Sequence, residues 1–314
     1  QSGNLQAFDE FIAILEQKGL AVLPLALASL KDRDSKAVVD ELALAHQCKL
    51  ILNTTAFSAG TQGSVGNPAL GELPTENQQA LFSVNVPVLQ VILAANSEAD
   101  WRTHSQGLRA RDIAMNIALP EMDGRIISRA ISFKDDAKAS ERTQYQALRY
   151  SLQAERAGFV AELARKWVAL SSKANTEKRV ALILANYPTK DGRIGNGVGL
   201  DTPASTLNIL KRMQDQGYPI AQIPESGTAL VEQLLSYVTN DLNSLALRPC
   251  DQSLSLDEYQ HYFQQIPESC QQAVLERWGS ADKDPKVRAQ RIMVAGLHLG
   301  DTFVGIQPAR GFNI

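Results

Sequence analysis

The chain has 314 residues, of which 44% are apolar and 21% are charged, and its formal net charge is -3. These values are typical of a globular protein, and they argue against a nucleic-acid surface, which usually carries a basic excess. No apolar run reaches the roughly 18 residues that a membrane span needs, and no secretory signal opens the chain. Because single cores stop growing at about 250–300 residues, this length predicts two domains.

The three cysteines lack the close-pair spacing of a zinc site. Cys48, Cys250 and Cys270 therefore predict buried free thiols in a reducing compartment, and we expect a cytoplasmic protein. The four histidines also lack metal-ligand spacing, so a packing or surface role is the simpler interpretation of each.

The first half alternates short apolar runs with amphipathic segments, which is typical of an α/β domain. Ser2-Gly3-Asn4 can cap the first helix, whose inner face is Phe8, Phe11, Ile12 and Leu15. Further helices are predicted from Ser35 onward and over 104–115. Strands are predicted at 20–27, 49–52, 87–94, 116–119 and 129–133.

Residues 141–171 contain no proline and only one glycine, and their apolar residues lie three, four or seven apart. This spacing predicts one long amphipathic helix joining two lobes. Its other face carries Arg142, Arg149, Arg156 and Arg165, which form either a solvated face or an anion-binding stripe. The domain boundary is predicted near Ala174-Asn175-Thr176.

The second half opens with a predicted buried strand, Val180 to Leu184, followed by a glycine-rich loop. Asp201-Thr202-Pro203 starts a helix that ends at Gly217. Later signals are strands at 220–223, 293–298 and 303–307, a helix around 230–238, a capping box at 255–258 and a helical face at 274–278.

Together these patterns predict two tandem Rossmann- or flavodoxin-like α/β lobes with mostly parallel sheets, joined by a long helix. The predicted domains are 1–136, whose opening strand is missing, the connecting helix 137–175, and a truncated second domain, 176–314.

The loop from 186 to 200 is a candidate ligand site, because its glycines let backbone N–H groups approach an anion closely. The loop has neither the P-loop pattern nor the full dinucleotide fingerprint, since Leu200 stands where the last glycine belongs. A ligand loop and a plain tight connection both fit. Asn196 in this loop and Asp201 at the helix start are candidate substrate contacts.

Glu121 and Asp123 form a second candidate, just past the predicted strand 116–119. In extended geometry both carboxylates would point to one face, where they could bind a divalent cation or accept protons. The alternative is a simple turn, because Asp-Gly is a frequent turn pair.

Polar groups at strand ends complete the candidates, since the carboxyl ends of parallel strands are where such sheets bind ligands. The alternative is that these polar residues mark only the positions where the hydrogen bonding of the sheet ends. His104 and Arg111 lie in or near a polar loop and could pair with acid groups, or could simply be exposed. The predicted substrate contacts of this kind are Asn53, Thr54, His104, Arg111, Asn186 and Gln307.

Seven strings, spread over nearly the whole chain and in the family's order, resemble the CobN family of large cobaltochelatase subunits. The related H subunit of magnesium chelatase is more distant. Family members are much longer, so the chain is expected to be an internal piece, inactive by itself. The strings are LASLKD, ILNTTAFS, PVLQVIL, GLRARDIAMNIALPEMDGRI, AISFK, RIGNGVGLDTPAS and VGIQPARGFNI.

The resemblance implies a ligase that inserts Co²⁺ into hydrogenobyrinic acid a,c-diamide, on the aerobic route to cobalamin. It implies that AAA+ ATPase and adaptor subunits are partners and that these partners hydrolyse ATP. The family's Leu-Pro-Glu glutamate is implicated in metal insertion, so that role passes to Glu121, as base and transient metal ligand, and less directly to Asp123.

Three alternatives stay open. The chain could belong to a magnesium chelatase H-like subunit, or it could be a two-lobed module that binds a small acidic ligand without chemistry. It could also be chiefly a scaffold. We expect both lobes to face a common tetrapyrrole pocket.

Overall fold

The protein was analysed as a computed structural model, which describes residues 4–59, 81–136, 142 and 148–309. The chain divides into two compact units, Gln1–Ser172 and Lys173–Ile314. Both combine helices with sheets, so the fold is mixed α/β. In the described ranges, no helix has the length and apolar character needed to cross a bilayer.

Unit 1 contains a four-stranded sheet and helices that pack against it. The strands are β1 Ile51–Asn53, β2 Val88–Leu93, β3 Ile126–Asp136 and β4 Leu148–Leu152. The helices are α1 Gln6–Gln17, α2 Arg33–Ala45, α3 Glu98–Thr103, α4 Ala110–Ile113, α5 Leu119–Met122 and α6 Ala154–Ser172.

The sheet of unit 1 runs in the order β1-β2-β3-β4. The first three strands are parallel and β4 is antiparallel to β3, as expected for a mostly parallel sheet. Helix α6 packs on this sheet and on α1 through small residues, including Ala157, Ala161 and Ala164, which are fully buried. Small side chains at this face let the helix approach the sheet closely.

Several predicted elements of unit 1 are wrong. Residues 148–152, predicted as helix, form β4 because they pair with the end of β3, and α6 starts only at Ala154. Residues 20–27, within the described range 4–59, have no regular secondary structure. Helix α1 begins after Leu5 without a side-chain cap, rather than with a cap from the predicted tripeptide.

The segment before the Leu-Pro-Glu motif is also helical rather than extended. Ala114–Ala118 forms a π-helical turn between α4 and α5, and the predicted strand 116–119 is therefore wrong. Such wide turns are rare and occur often at functional sites. Consequently the motif lies in one continuous helical segment.

Unit 2 contains two small three-stranded sheets. The strands are β5 Val180–Leu184, β6 Gln252–Ser255, β7 Val287–Arg288, β8 Arg291–Val294, β9 Gly296–Leu299 and β10 Thr302–Ile306. The helices are α7 Thr202–Asp215, α8 Gly227–Ser236, α9 Leu256–Phe263 and α10 Glu268–Trp278.

Among residues 173–309, the described part of unit 2, only β5 and β10 pair in parallel. Strand β9 is antiparallel to β10, and the sheet β6-β8-β7 is wholly antiparallel, so the prediction of mostly parallel sheets is wrong here. The core lies where α7 and α8 cover the first sheet, with Leu210, Leu230 and Val304 fully buried.

Three predictions in unit 2 that rest on short sequence patterns are confirmed. Strand β5, the Asp201 cap of α7 and the capping box between Ser255 and Glu258 are confirmed. The predicted strand at 220–223, within described residues, is absent. The cysteines are free, but Cys270 is exposed and the other two are only half-buried, which corrects the expectation of buried thiols.

Gly296 begins β9 and lies opposite Gly305 in the antiparallel pair with β10, with φ at +144°. A Cβ at this position would lie 2.5 Å from the Val304 carbonyl oxygen and from Phe303 Cζ. Gly296→Ala is therefore expected to lower the free energy of unfolding by about 1–3 kcal/mol, measured by urea unfolding.

Gly158→Ala is the matched control, because Gly158 lies in the interior of α6 and a Cβ there meets nothing within 4 Å. This change should raise stability by about 0.5–1 kcal/mol. Equal effects of the two substitutions would contradict the steric argument.

Candidate functional site

A buried arginine organises the region around the Leu-Pro-Glu motif in unit 1. Arg125 precedes β3, and its Nη1 donates to the Thr55 carbonyl and to Gln90 Oε1, both at 3.0 Å. Its Nη2 donates to the Phe57 carbonyl at 3.1 Å and to Asp123 Oδ2 at 2.7 Å. These contacts, which we call the Arg125 network, join the loop after β1 to the turn before β3.

The second carboxylate of the motif belongs to this network. Asp123 keeps only 4% of its side chain exposed, and its Oδ1 accepts from Ser58 Oγ at 2.6 Å. Its Oδ2 accepts from the Ala59 amide at 2.8 Å as well as from Arg125. Burial lowers the pKa of the Arg125 guanidinium, and the charge of Asp123 opposes that shift. Asp123 is thus held as a buried ion-pair partner.

Glu121 has a different environment. It lies in α5, between the buried Pro120 and the exposed Met122, and its own side chain is exposed. Because the segment is helical, the two carboxylates do not share one face as they would in a strand. The Arg125 network holds the turn that follows α5 through Asp123 and Arg125. The Glu121 side chain, in the last turn of α5, is exposed to solvent.

Asn53 also enters the Arg125 network. Its Nδ2 donates to Gln90 Oε1 at 2.7 Å and its Oδ1 accepts from Thr55 Oγ1 at 3.0 Å. The oxygen and the nitrogen of the Asn53 amide are therefore both hydrogen-bonded within the protein. Thr54, the next residue, is half-buried.

A second polar network lies at the carboxyl ends of β5 and β10 in unit 2. Asn240 Nδ2 donates to Asn186 Oδ1 at 3.0 Å and to the Gln307 carbonyl at 2.8 Å. Asn240 Oδ1 accepts from Lys286 Nζ at 2.6 Å. This set, called the Asn240 network, brings together two predicted contacts, Asn186 and Gln307.

The other predicted contacts lie apart from these networks. His104 is exposed at the end of α3, with Nδ1 2.7 Å from the Asp100 carbonyl, and Arg111 is exposed in α4. Asn196 is exposed and donates to the Tyr187 carbonyl at 3.2 Å. Asp201 accepts from the Ala204 amide at 3.0 Å as the cap of α7.

Sequence reasoning missed the residues at the centre of both networks. Gln90 interrupts the apolar run of β2, and Arg125 follows Asp123-Gly124 directly before a strand, so each left a weak signal. Asn240 and Lys286 left none, because their partners lie 46 to 67 residues away along the chain.

The comparisons with known proteins decide the family. A family model described as CobN/Magnesium Chelatase matches residues 1–314. The chain belongs to this family. The aerobic cobaltochelatase subunit CobN of Pseudomonas aeruginosa is 51% identical over the whole chain, and that of a Sinorhizobium species is 36% identical over the whole chain.

More distant members support the same family. The magnesium-chelatase H subunit of Chlorobaculum parvum is 27% identical over 96% of the chain and 22% of its own length. The solved catalytic subunit of cobaltochelatase from Mycobacterium tuberculosis matches 99% of the chain and 25% of its own length, with a TM-score of 0.75 and 28% identity. The chain spans 24% of the length of each of the two CobN relatives.

Within this CobN/magnesium chelatase chain, the described residues hold no group of three His, Cys, Asp or Glu side chains placed to bind a metal ion. Glu121 is a single exposed carboxylate in α5.

Proposed function

We propose that this chain is part of the tetrapyrrole-binding subunit of an ATP-dependent cobaltochelatase. The whole protein inserts Co²⁺ into hydrogenobyrinic acid a,c-diamide, and partner AAA+ subunits, with an adaptor, hydrolyse ATP. The observation that carries this proposal is the 51% identity to the Pseudomonas CobN subunit along all 314 residues. Identity to the magnesium-chelatase H subunit of Chlorobaculum is 27%, which favours cobalt over magnesium.

Metal insertion requires two kinds of help from the protein. The macrocycle must lose its inner N–H protons, and the metal ion must shed water before the ring nitrogens bind it. A carboxylate beside the ring can accept a proton and can replace a water on the cation for a short time. Both tasks need an oxygen that faces the substrate.

Glu121 is the residue to which we assign these tasks. It is exposed, whereas both oxygens of Asp123 are occupied inside the Arg125 network. The network fixes the turn behind Glu121, which reduces the reorganisation needed when the metal arrives. Asp123 and Arg125 are therefore positioning residues in this proposal.

The function is tested with the full-length subunit, partner subunits, ATP, Co²⁺ and hydrogenobyrinic acid a,c-diamide. We expect the absorbance spectrum to change to that of the cobalt corrin, and we expect little product when Mg²⁺ replaces Co²⁺. Binding of the corrin without insertion, with all partners present, would instead favour a binding module that performs no chemistry.

A further inference from the structure

The Asn240 network contains a buried cation that forms no ion pair with a described Asp or Glu side chain. Lys286, directly before β7, keeps only 9% of its surface exposed, and its Nζ has one hydrogen-bond partner among the described residues, Asn240 Oδ1. In those same ranges, it forms no ion pair with an Asp or Glu side chain. An ammonium has three donors, so two remain for other acceptors.

Two carboxylates in this part of unit 2 accept hydrogen bonds from groups other than the Lys286 ammonium. Asp284 Oδ1 accepts from the Lys286 backbone amide at 2.8 Å, and Asp191 accepts from Arg248 Nη1 at 3.0 Å and from Thr239 Oγ1 at 2.7 Å. Burial lowers the pKa of the Lys286 ammonium, and the nearby Asp284 charge acts in the opposite direction. Burying a charge without a partner is costly, and perturbed titratable groups cluster at functional sites.

The location of this cation is that of a ligand site. Asn240 ties Lys286 to Gln307, the residue after β10, and to Asn186, two residues after β5. Lys286 therefore joins the network at the carboxyl ends of the parallel pair β5 and β10. In open parallel α/β sheets, ligands bind at that end of the strands.

The loop that leaves the same end of β5 exposes large apolar side chains. Tyr187 is 69% exposed, Leu200 is 59% exposed and Val198 is fully exposed. Gly195 is bonded back to the Ala185 carbonyl, which holds this loop at the strand end. An apolar surface beside a buried cation matches a flat macrocycle that carries carboxylate side chains.

We propose that Lys286 binds a peripheral carboxylate of the tetrapyrrole substrate in unit 2. This inference rests on the proposed function. The carboxylate supplies two oxygens to the two free ammonium donors, while Asn240 orients the lysine. Lys286 thereby favours binding of a macrocycle that carries free carboxylates. It takes no part in proton transfer from the ring nitrogens.

The test compares hydrogenobyrinic acid a,c-diamide with its fully esterified form, which has no free carboxylate, on the full-length subunit by titration calorimetry. Wild-type protein should prefer the acid. Lys286→Gln, which keeps a donor but loses the charge, should weaken acid binding about tenfold to a hundredfold and leave ester binding unchanged. Lys286→Arg should keep most of the preference.

Lys283→Met is the matched control, because Lys283 is exposed three residues away and should leave both affinities unchanged. A Lys286 role limited to folding would lower both affinities alike, and the acid-to-ester ratio would stay constant. Equal acid binding by wild type and Lys286→Gln would overturn the inference and leave the proposed function intact. No corrin binding by the wild type would overturn both.

Discussion

Glu121→Gln should lower cobalt insertion by the full-length subunit at least about a hundredfold, because a general base typically contributes 10²–10⁴ to a rate. The amide keeps the size of the side chain but accepts no proton and binds a cation weakly. The Glu121 side chain is exposed, so stability should not change. Corrin binding, measured by calorimetry, should be retained while turnover is lost.

Glu16→Gln is the matched control, since Glu16 is an exposed carboxylate on α1 in the same unit. It should leave turnover unchanged. Full activity of Glu121→Gln would remove Glu121 from the mechanism. Loss of corrin affinity together with turnover would assign it to binding instead.

Asp123→Asn should destabilise the protein by about 3–5 kcal/mol, because it leaves the Arg125 charge buried without its partner. The two side chains are 0% and 4% exposed, so water cannot compensate the guanidinium. The change also weakens the contacts from Ser58 and the Ala59 amide. Urea unfolding, followed by circular dichroism, measures the loss.

The control is Arg102→Gln, which removes the ion pair with Glu98 on the surface of α3. Exposed pairs contribute only about 0–1 kcal/mol. Replacing both Asp123 and Arg125 by apolar residues should recover part of the loss, but not all, since the Thr55 and Phe57 carbonyls also lose a donor. A cost below about 1 kcal/mol for Asp123→Asn would contradict the buried-pair argument.

Strong local signals allowed β5 and the starts of α7 and α9 to be predicted from sequence. A short apolar run predicted β5, and an Asp-Thr-Pro cap predicted α7, because each depends on residues close together in the chain. The capping box at Ser255 is another local signal. Such features need no tertiary partner to be recognised.

Elements that depend on distant partners were predicted wrongly. Leu148 and Leu152 fit a helical spacing with the residues after them, yet they form β4 because the end of β3 pairs with them. The strand predicted at 116–119 is wrong for a different reason. Four residues are too few for a pattern to distinguish a strand from a helix, and this segment is helical. Tertiary pairing overrode local propensity in the first case.

In the candidate site, too, local sequence predicted some features, whereas others depend on distant residues. The family motif pointed to Glu121, but only the fold shows that Asp123 is buried and Glu121 is exposed. Lys286 could not be predicted at all, because its neighbour Asn240 is 46 residues away along the chain.

The π-helical turn at Ala114–Ala118 sets the rotational phase of everything that follows it. A π turn takes up one residue more than an α turn, and each residue turns a helix by about 100°. If the same residues closed as an ordinary α turn, the segment after it would rotate by about 100° and Glu121 would point away from its present direction. By absorbing one residue, the π turn therefore determines which side chain of the motif is presented, without altering the motif itself.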